Sequence, residues 1–285
     1  MQTPNVVEND MKKKLNIGCG HRFHRDWVNI DIAPASPEVK KVNILQGLPY
    51  PDNSFDVVYH SNVLEHLPKQ KGAEMILECF RVLKPGGILR INVPDLEKIC
   101  REYLSNMEKA IAGDEIAAHN YDWMLIEMLD QVGRNKSGGE MAEYLSQPQI
   151  PNIDFLKHRL GSYIDEWRKK MNEPRRKKSL PDKIKFVLQH PDRIKKIWYT
   201  IVLSKKERQY LDIGRFRLGG EVHYQMYDRY SIERLLKKTG FSRIEFKTPV
   251  TSNIENWVSF DLDSPDDGAA LLTEALNNED HSFYI

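Results

Sequence analysis

Cysteine is scarce: Cys19, Cys79 and Cys100 are the only three in 285 residues, they cannot all pair, and no two share a metal-ligand spacing. That argues against a disulfide-stapled secreted domain and fits a reducing compartment, so a cytoplasmic location is expected. The first ten residues are polar and lack the apolar stretch of a secretory leader. No apolar run approaches the roughly 20 residues that span a bilayer. The longest, from Ile197 to Leu203, falls far short. Charge of one sign is also lacking, since the formal net charge is +1 and the global balance singles out no partner. Nothing in the chain reads as a tight His/Asp/Glu ligand set, so no metal is expected.

The charge is unevenly placed. From Lys157 to Arg208 there are 17 Lys and Arg against 6 Asp and Glu, a local net of 17 − 6 = +11 inside a remainder of −10. Residues 168–206 combine that charge with Trp198, Tyr199, Ile201 and Val202, a mixture that suits the surface of an anionic membrane. Nucleic acid, a phosphate-bearing substrate and an ordinary solvated surface are the competing readings.

Short apolar strands alternate with a helical period, which argues for a parallel α/β sheet. Strands are expected at Lys14 to Ile17, Trp27 to Ile32, Val39 to Ile44, Phe55 to Tyr59 and Ile88 to Val93. Between the last two, Ala73, Ile76, Leu77, Phe80 and Leu83 recur at i, i+3, i+4, i+7 and i+10, one face of a helix over 69–83. Asp95 is placed to cap a helix running to about Met107. The pattern resumes with a helix over 231–239, with Ser231 as its N-cap and Gly240 just past its end, then strands at Arg243 to Thr248 and His281 to Ile285. The expected organisation is a loose tail over 1–12, a sheet domain made of 13–95 and 219–285, and a helical, partly basic insertion over 96–218.

Gly18-Cys19-Gly20 follows the first strand directly, and glycines there let a ligand approach the backbone closely. Position 23 is Phe23, so the three-glycine dinucleotide fingerprint is incomplete, and no Walker lysine follows. Asp31 ends the second strand, where a carboxylate accepts hydrogen bonds from both hydroxyls of a ribose. It stands 11 residues beyond Gly20, against the roughly 20 of a dinucleotide fold, which disfavours NAD.

Five ordered segments carry a family resemblance: Leu15-Asn16-Ile17-Gly18-Cys19-Gly20, Asn29-Ile30-Asp31, the run from Leu48 to Val58, the run from Asn62 to Leu67, and the run from Arg81 to Gly87. In this order they resemble the class I S-adenosylmethionine-dependent methyltransferases of type 11. The resemblance implies a Rossmann-like, doubly wound, mostly parallel seven-stranded sheet with S-adenosylmethionine as cofactor and S-adenosylhomocysteine as product. It implies that Gly18, Cys19 and Gly20 line the methionine part, that Asp31 holds the ribose, and that Asn43 meets the adenine edge. Ile32 and Ile44 would sandwich the ring, and Ser61 and Asn62 would stand beside the methionine moiety. Asn16 replaces an acidic residue frequent in the family. Only His21 to Asp26 separate the glycines from the second strand, and Ala33 to Glu38 link the second to the third, so the usual helices there must shrink to turns. This compact front half is similar to a bacterial group linked with glycan and cell-surface biosynthesis.

Methyl transfer to a hydroxyl requires removal of its proton, and His223 is the first candidate base, with Glu221 to orient it or replace it. Glu65 and His66, after the fourth strand, are alternatives, with capping of the following turn the plain reading. Asp130, Arg134, Tyr227 and Asp228 are candidates for gripping a many-hydroxyl acceptor, or for bracing the insertion. The favoured reading is O-methylation of a sugar-containing or lipid-linked small molecule. A nucleic-acid methyltransferase is the runner-up. It is disfavoured because Ser61-Asn62-Val63-Leu64 stands where amine methylases place an Asn-Pro-Pro-Tyr motif. A non-catalytic cofactor-binding scaffold is the third reading.

Overall fold

The computed structural model describes residues 12–172, 198–199, 202–264 and 266–277. Seven strands form one sheet: β1 (Lys14–Ile17), β2 (Val28–Asp31), β3 (Lys40–Lys41), β4 (Phe55–Ser61), β5 (Leu83–Pro94), β6 (Phe241–Lys247) and β7 (Ala270–Asn277). Their order is β3-β2-β1-β4-β5-β7-β6. The first five pair in parallel and β7 runs antiparallel to both β5 and β6. This is the doubly wound, mostly parallel sheet that the family resemblance implies. Chain order reverses between β1 and β4, and the carboxyl ends of those two strands flank the crevice where such sheets bind ligands.

Among the described residues, those up to Glu102, with His158–Gly161 and those from Tyr224 onward, form one compact unit. Tyr103–Lys157 and the described part of Ser162–His223 form a second. The sheet lies wholly in the first unit.

One face of the sheet is covered by helices α1 (Lys69–Val82) and α8 (Arg229–Lys238). On α1 the buried positions are Gly72, Met75, Ile76, Cys79 and Val82, with the same spacing as the expected stripe but shifted by one residue. Leu77, assigned to the core face from the sequence, is half exposed. Apolar residues occupy both candidate faces of this helix, and packing against the sheet selects the one that includes Met75 and Cys79. Ile17, Val58, Leu89 and Ile91 meet this face from the strands.

Among the described residues the opposite face is closed without an α-helix, by a 3-10 turn over Trp257–Phe260 and the chain after it. No helix forms over 21–26 or 33–38. Trp257, Phe260 and Leu262, from the stretch between β6 and β7, pack instead on Trp27, Val57 and Tyr59. Arg90 of β5 is buried among them. Its guanidinium pairs with Asp263 at 2.8 Å and Glu274 at 2.7 Å and donates to the carbonyls of Thr248 and Thr251. It also lies 4.3 Å from the centroid of the Trp257 ring. Tyr59 donates its hydroxyl proton to Asp263 at 2.6 Å. A buried cation is tolerable only when paired and hydrogen-bonded, and Arg90 is both.

Several local expectations shift. The third strand is two residues long and gives way to a 3-10 turn over Ile44–Gln46. The helix after Asp95, α2, runs Leu96–Ile111, and the Asp95 carboxylate accepts from the amides of Glu97 and Lys98. Helix α8 starts earlier than expected: Asp228 is its N-cap and Ser231 is the third residue of a reciprocal capping box. The last described strand is β7 at 270–277, a segment not expected to be a strand. The strand expected at 281–285 lies outside the described residues.

The second unit is helical where described, with α3 (Glu115–Gly133), α4 (Gly139–Leu145), α6 (Tyr163–Asn172) and α7 (Lys205–Arg217); α5 (Ile153–Leu160) runs from it into the first unit. Most of the basic block, including Arg175, Arg176, Lys177, Lys178, Lys195 and Lys196, lies outside the described residues. No helix among the described residues is long and apolar enough to cross a membrane.

Candidate active site

The turn after β1 is built by backbone that only glycine takes easily. Gly18 and Gly20 have φ of +64° and +52°, in the left-handed region. A Cβ at Gly18 would stand 2.4 Å from Cγ2 of Val63, so the loop after β4 closes directly over the turn and leaves no room for a side chain. At Gly20 a Cβ would meet nothing within 4 Å, so this part of the turn faces open space. The amides of Gly18 and Cys19 both donate to Ile30 O of β2. The Gly20 amide donates to Asp31 Oδ2 at 2.9 Å, and Asp31 Oδ1 accepts from the Ala33 amide at 2.8 Å. Each carboxylate oxygen thus has one fixed partner and a second lone pair. The lone pairs left on Asp31, beside the open space at Gly20 and the switch point, fit a ribose diol, and the side-chain-free turn fits a cofactor chain passing along it.

Cys19 is buried, and burial together with the Asp31 charge pushes its thiol up to about 11. Burial thus favours the protonated thiol at the turn.

Asn16 lies on the helix-free face. Its Nδ2 donates to the Arg22 carbonyl at 3.1 Å and to Asn29 Oδ1 at 3.2 Å. Asn29 in turn donates to the carbonyls of His24 and Trp27. The two side-chain amides satisfy the backbone of the short turn that replaces the usual helix. Sequence reasoning singled out Asn16 but missed Asn29. The signal was an Asn inside each of two adjacent strands flanking an undersized connection.

Asn43 caps the 3-10 turn, its Oδ1 accepting from the Leu45 amide at 3.1 Å. Ile44 is partly buried against the main core, and Ile32 is exposed. Ser61 ends β4, and the next residue, Asn62, takes φ of +51° and donates its amide N–H to the Asn92 carbonyl. The Asn62 Nδ2 donates to Ser61 Oγ at 3.3 Å.

Glu65 follows in a 3-10 turn. Its side chain is buried, neither carboxylate oxygen is hydrogen-bonded, and burial pushes its pKa up to about 8. Its main-chain carbonyl accepts from the amides of Tyr224 and Gln225, which pins the segment leading to α8. Tyr227 is buried in the main core, its hydroxyl pushed up to about 12 by burial and then by the Glu65 charge. Its carbonyl accepts from Leu96 N. The Asp228 carboxylate holds the start of α8.

In the second unit, Asp130 Oδ1 accepts from the Glu140 amide at 2.8 Å, and Gly139 lies so close to that carboxylate that any side chain would collide with it. Arg134 lies 3.8 Å from Asp130, donates to the Glu221 carbonyl at 3.2 Å and stands 3.6 Å from Glu221 Oε1. Glu221 Oε1 also accepts from the Gly138 amide at 3.0 Å. His223 is buried, and its amide donates to Gln131 O. Asp130, Arg134, Glu221 and His223 thus come together around the end of α3.

Residues 6–91 match the methyltransferase domain family of type 11. A probable S-adenosylmethionine-dependent methyltransferase of Mycolicibacterium smegmatis is 34% identical over 28% of this chain and 37% of its own length. A protein of the same description from Mycobacterium tuberculosis H37Rv is 43% identical over 28% of this chain and 35% of its own. The chain thus spans little more than a third of the length of these relatives. Among solved structures, a methyltransferase from Thermotoga maritima described as a possible histamine N-methyltransferase aligns over 94% of this chain and 83% of its own, at 13% identity and a TM-score of 0.40. The sequence match and the sheet that these residues build identify the amino-terminal portion of the chain as a methyltransferase domain of the S-adenosylmethionine-dependent kind.

Proposed function

We propose that the chain transfers a methyl group from S-adenosylmethionine to a hydroxyl of a sugar-containing or lipid-linked small molecule in the cytoplasm, as a step of glycan or cell-surface biosynthesis. The observation that carries the methyltransferase reading is the glycine turn after β1 with Asp31 tied to the Gly20 amide at 2.9 Å. When bound, S-adenosylmethionine supplies a methyl carbon already activated by the sulfonium. The protein's own task is then to position the acceptor and take its proton. Asp31 holds the ribose through the lone pairs left free by Gly20 and Ala33. Asn43 meets the adenine edge, and Ser61 and Asn62 border the methionine end. His223 takes the proton from the acceptor hydroxyl, with Glu221 as its support; Asp130 and Arg134 of the second unit, and Tyr227 and Asp228 of the first, are the further candidates for acceptor contacts. Polar, hydrogen-bonding residues dominate that set, which suits an acceptor with many hydroxyls.

The test is incubation of the protein with methyl-labelled S-adenosylmethionine and fractionated cell extract. Label is expected in a glycan or glycolipid fraction. Label in RNA or DNA would favour the nucleic-acid reading. No transfer to any fraction, together with no binding of S-adenosylhomocysteine by calorimetry, would end the methyltransferase reading.

A further inference from the structure

Methyl transfer leaves the +11 run from Lys157 to Arg208 unused. At the carboxyl end of that run, Trp198, Tyr199 and Val202 are helical. The Leu203 amide donates to the Tyr199 carbonyl at 3.0 Å, the i to i−4 bond of an α-helix. Residues four apart share one side of a helix. Tyr199 and Leu203 therefore form one side, which is half-buried, and the Arg215 guanidinium of α7 lies 4.9 Å from the Tyr199 ring centroid. Trp198 and Val202 form the neighbouring side, and they are 57% and 54% exposed. An indole and a branched aliphatic group thus stand side by side in water.

Ser204 follows and caps α7. Its hydroxyl accepts from the Glu207 amide at 3.3 Å, and the Glu207 carboxylate accepts from the Ser204 amide at 2.8 Å. This reciprocal box sets Lys205 and Lys206 as the first two residues of α7, and both are exposed. Lys205 comes three residues after Val202, so their Cα atoms lie within about 10 Å, roughly one Debye length at ordinary salt. No residue of α7 is buried, and the helix carries Lys205, Lys206, Arg208, Arg215 and Arg217 against Glu207 and Asp212. The placement of the two lysines works against the helix. Its amino end carries partial positive charge, which repels ammonium groups in the first turn. Glu207 offsets only part of that repulsion. An anion beside the turn relieves it, and Trp198 and Val202 gain by leaving water.

We propose that Trp198, Val202, Lys205 and Lys206 form a docking surface for an anionic phospholipid bilayer. The lysines meet lipid phosphates in the headgroup layer. The indole and the Val202 side chain enter the boundary between headgroups and acyl chains, the layer that favours amphipathic rings. Charge complementarity selects an anionic surface over a neutral one. Val202 has no flat face to stack on a base, whereas single-stranded nucleic acid is gripped by aromatic planes, so the pair it forms with Trp198 suits lipid. The surface lies wholly within the second unit and rests on no part of the methyl-transfer reading.

The test is sedimentation of the full chain with vesicles of phosphatidylcholine alone and of equal parts phosphatidylcholine and phosphatidylglycerol. Binding is expected to the mixed vesicles only, and it should fall steeply as salt is raised. Lys205→Glu/Lys206→Glu should bind the mixed vesicles about tenfold or more weakly, as loss of two cations at an anionic surface requires. Lys205→Arg/Lys206→Arg should retain binding. Bromine-labelled acyl chains locate the indole: tryptophan fluorescence should be quenched on binding, and Trp198→Phe should still bind while losing most of that quenching. Equal far-ultraviolet circular dichroism and thermal midpoints report that the variants fold. Equal binding to both kinds of vesicle, binding to neither, undiminished binding by the glutamate pair, or quenching that survives Trp198→Phe would overturn the proposal. Tighter binding to single-stranded RNA than to the mixed vesicles at the same salt would assign the surface to nucleic acid and overturn it as well.

Discussion

Asp31 Oδ2 accepts the amide proton of Gly20 at 2.9 Å, joining the end of the second strand to the turn after the first. The bond fixes the carboxylate's orientation before any ligand arrives and leaves its remaining lone pairs for a ribose. Asp31→Ala should therefore weaken S-adenosylhomocysteine binding by about 1.5–3 kcal/mol, the scale of lost charge-assisted hydrogen bonds. Calorimetry on the folded variant measures this directly. Unchanged affinity would remove Asp31 from the cofactor site.

Gly18 and Val63 make a second testable pair. A methyl group at position 18 would meet Cγ2 of Val63 at 2.4 Å and would carry the strain of a positive φ. Gly18→Ala should cost about 1–3 kcal/mol of stability in urea titration, the range of an overpacked site. Val63→Ala removes the collision but not the backbone strain, so the double variant should recover part of the loss. A strictly additive cycle would show that the two residues do not press on each other.

The buried Arg90 holds two carboxylates, Asp263 after the 3-10 turn over Trp257–Phe260 and Glu274 on β7. Arg90→Ala would leave both buried without their cation. Breaking such a group by removing one partner costs about 3–5 kcal/mol. Denaturant unfolding should show that loss, together with quenching changes at Trp257, whose ring the guanidinium covers. A loss under about 1 kcal/mol would mean that water reaches the carboxylates.

These features differ in how far the sequence discloses them. The glycine turn, Asp31 and the parallel strands are legible because local chemistry sets them: a positive φ, a strand-end carboxylate, an unbroken apolar run. Strand β7 is not legible, because Ala-Leu-Leu-Thr-Glu-Ala-Leu favours a helix by propensity. It becomes a strand only by lying between β5 and β6 with nearly every residue buried. The closing of the second face by Trp257 and Phe260 is invisible for the same reason, since the partners Trp27 and Tyr59 lie some 200 residues away. Asp228 and Ser231 are both good N-caps by residue type, and only their reciprocal hydrogen bonds decide which one begins the helix. Asp130 and Arg134 could be read as ligands or as a brace, and only the amides of α4 and the neighbourhood of Glu221 show what surrounds them.

His60 gives the protein an acid-sensitive element. It is fully buried on β4, neither ring nitrogen is hydrogen-bonded, and burial holds its pKa down to about 3. The folded state keeps the ring neutral, whereas the unfolded chain protonates it near the ordinary 6.5. Its contribution is therefore fully present above about pH 6.5 and is lost as pH falls from there toward 3. Between pH 7 and 5 the loss from this residue alone is about 2 kcal/mol. Urea titrations of wild type and His60→Leu at both pH values should show the variant losing less stability on acidification by about that amount. Identical slopes would place a proton partner on His60.

The most exposed expectation concerns His223, buried in the second unit with its amide held by Gln131 O. If His223 takes the acceptor proton, His223→Ala should leave S-adenosylhomocysteine affinity unchanged, because Asp31 and the glycine turn are intact. Turnover with the labelled acceptor fraction should fall by about 10²–10⁴-fold, the range for loss of a general base. Glu221 is held by the Gly138 amide and stands near Arg134, so it supports the segment that carries His223. Glu221→Gln keeps the accepting oxygen and should cost less than His223→Ala. A purely structural His223 would instead lower thermal stability and both kinetic parameters together, and His223→Gln, which preserves hydrogen bonding without comparable basicity, would restore turnover. Near-normal turnover in His223→Gln would therefore pass the base role to another group, with Glu65, whose carboxyl is buried at the end of β4, the next residue to substitute.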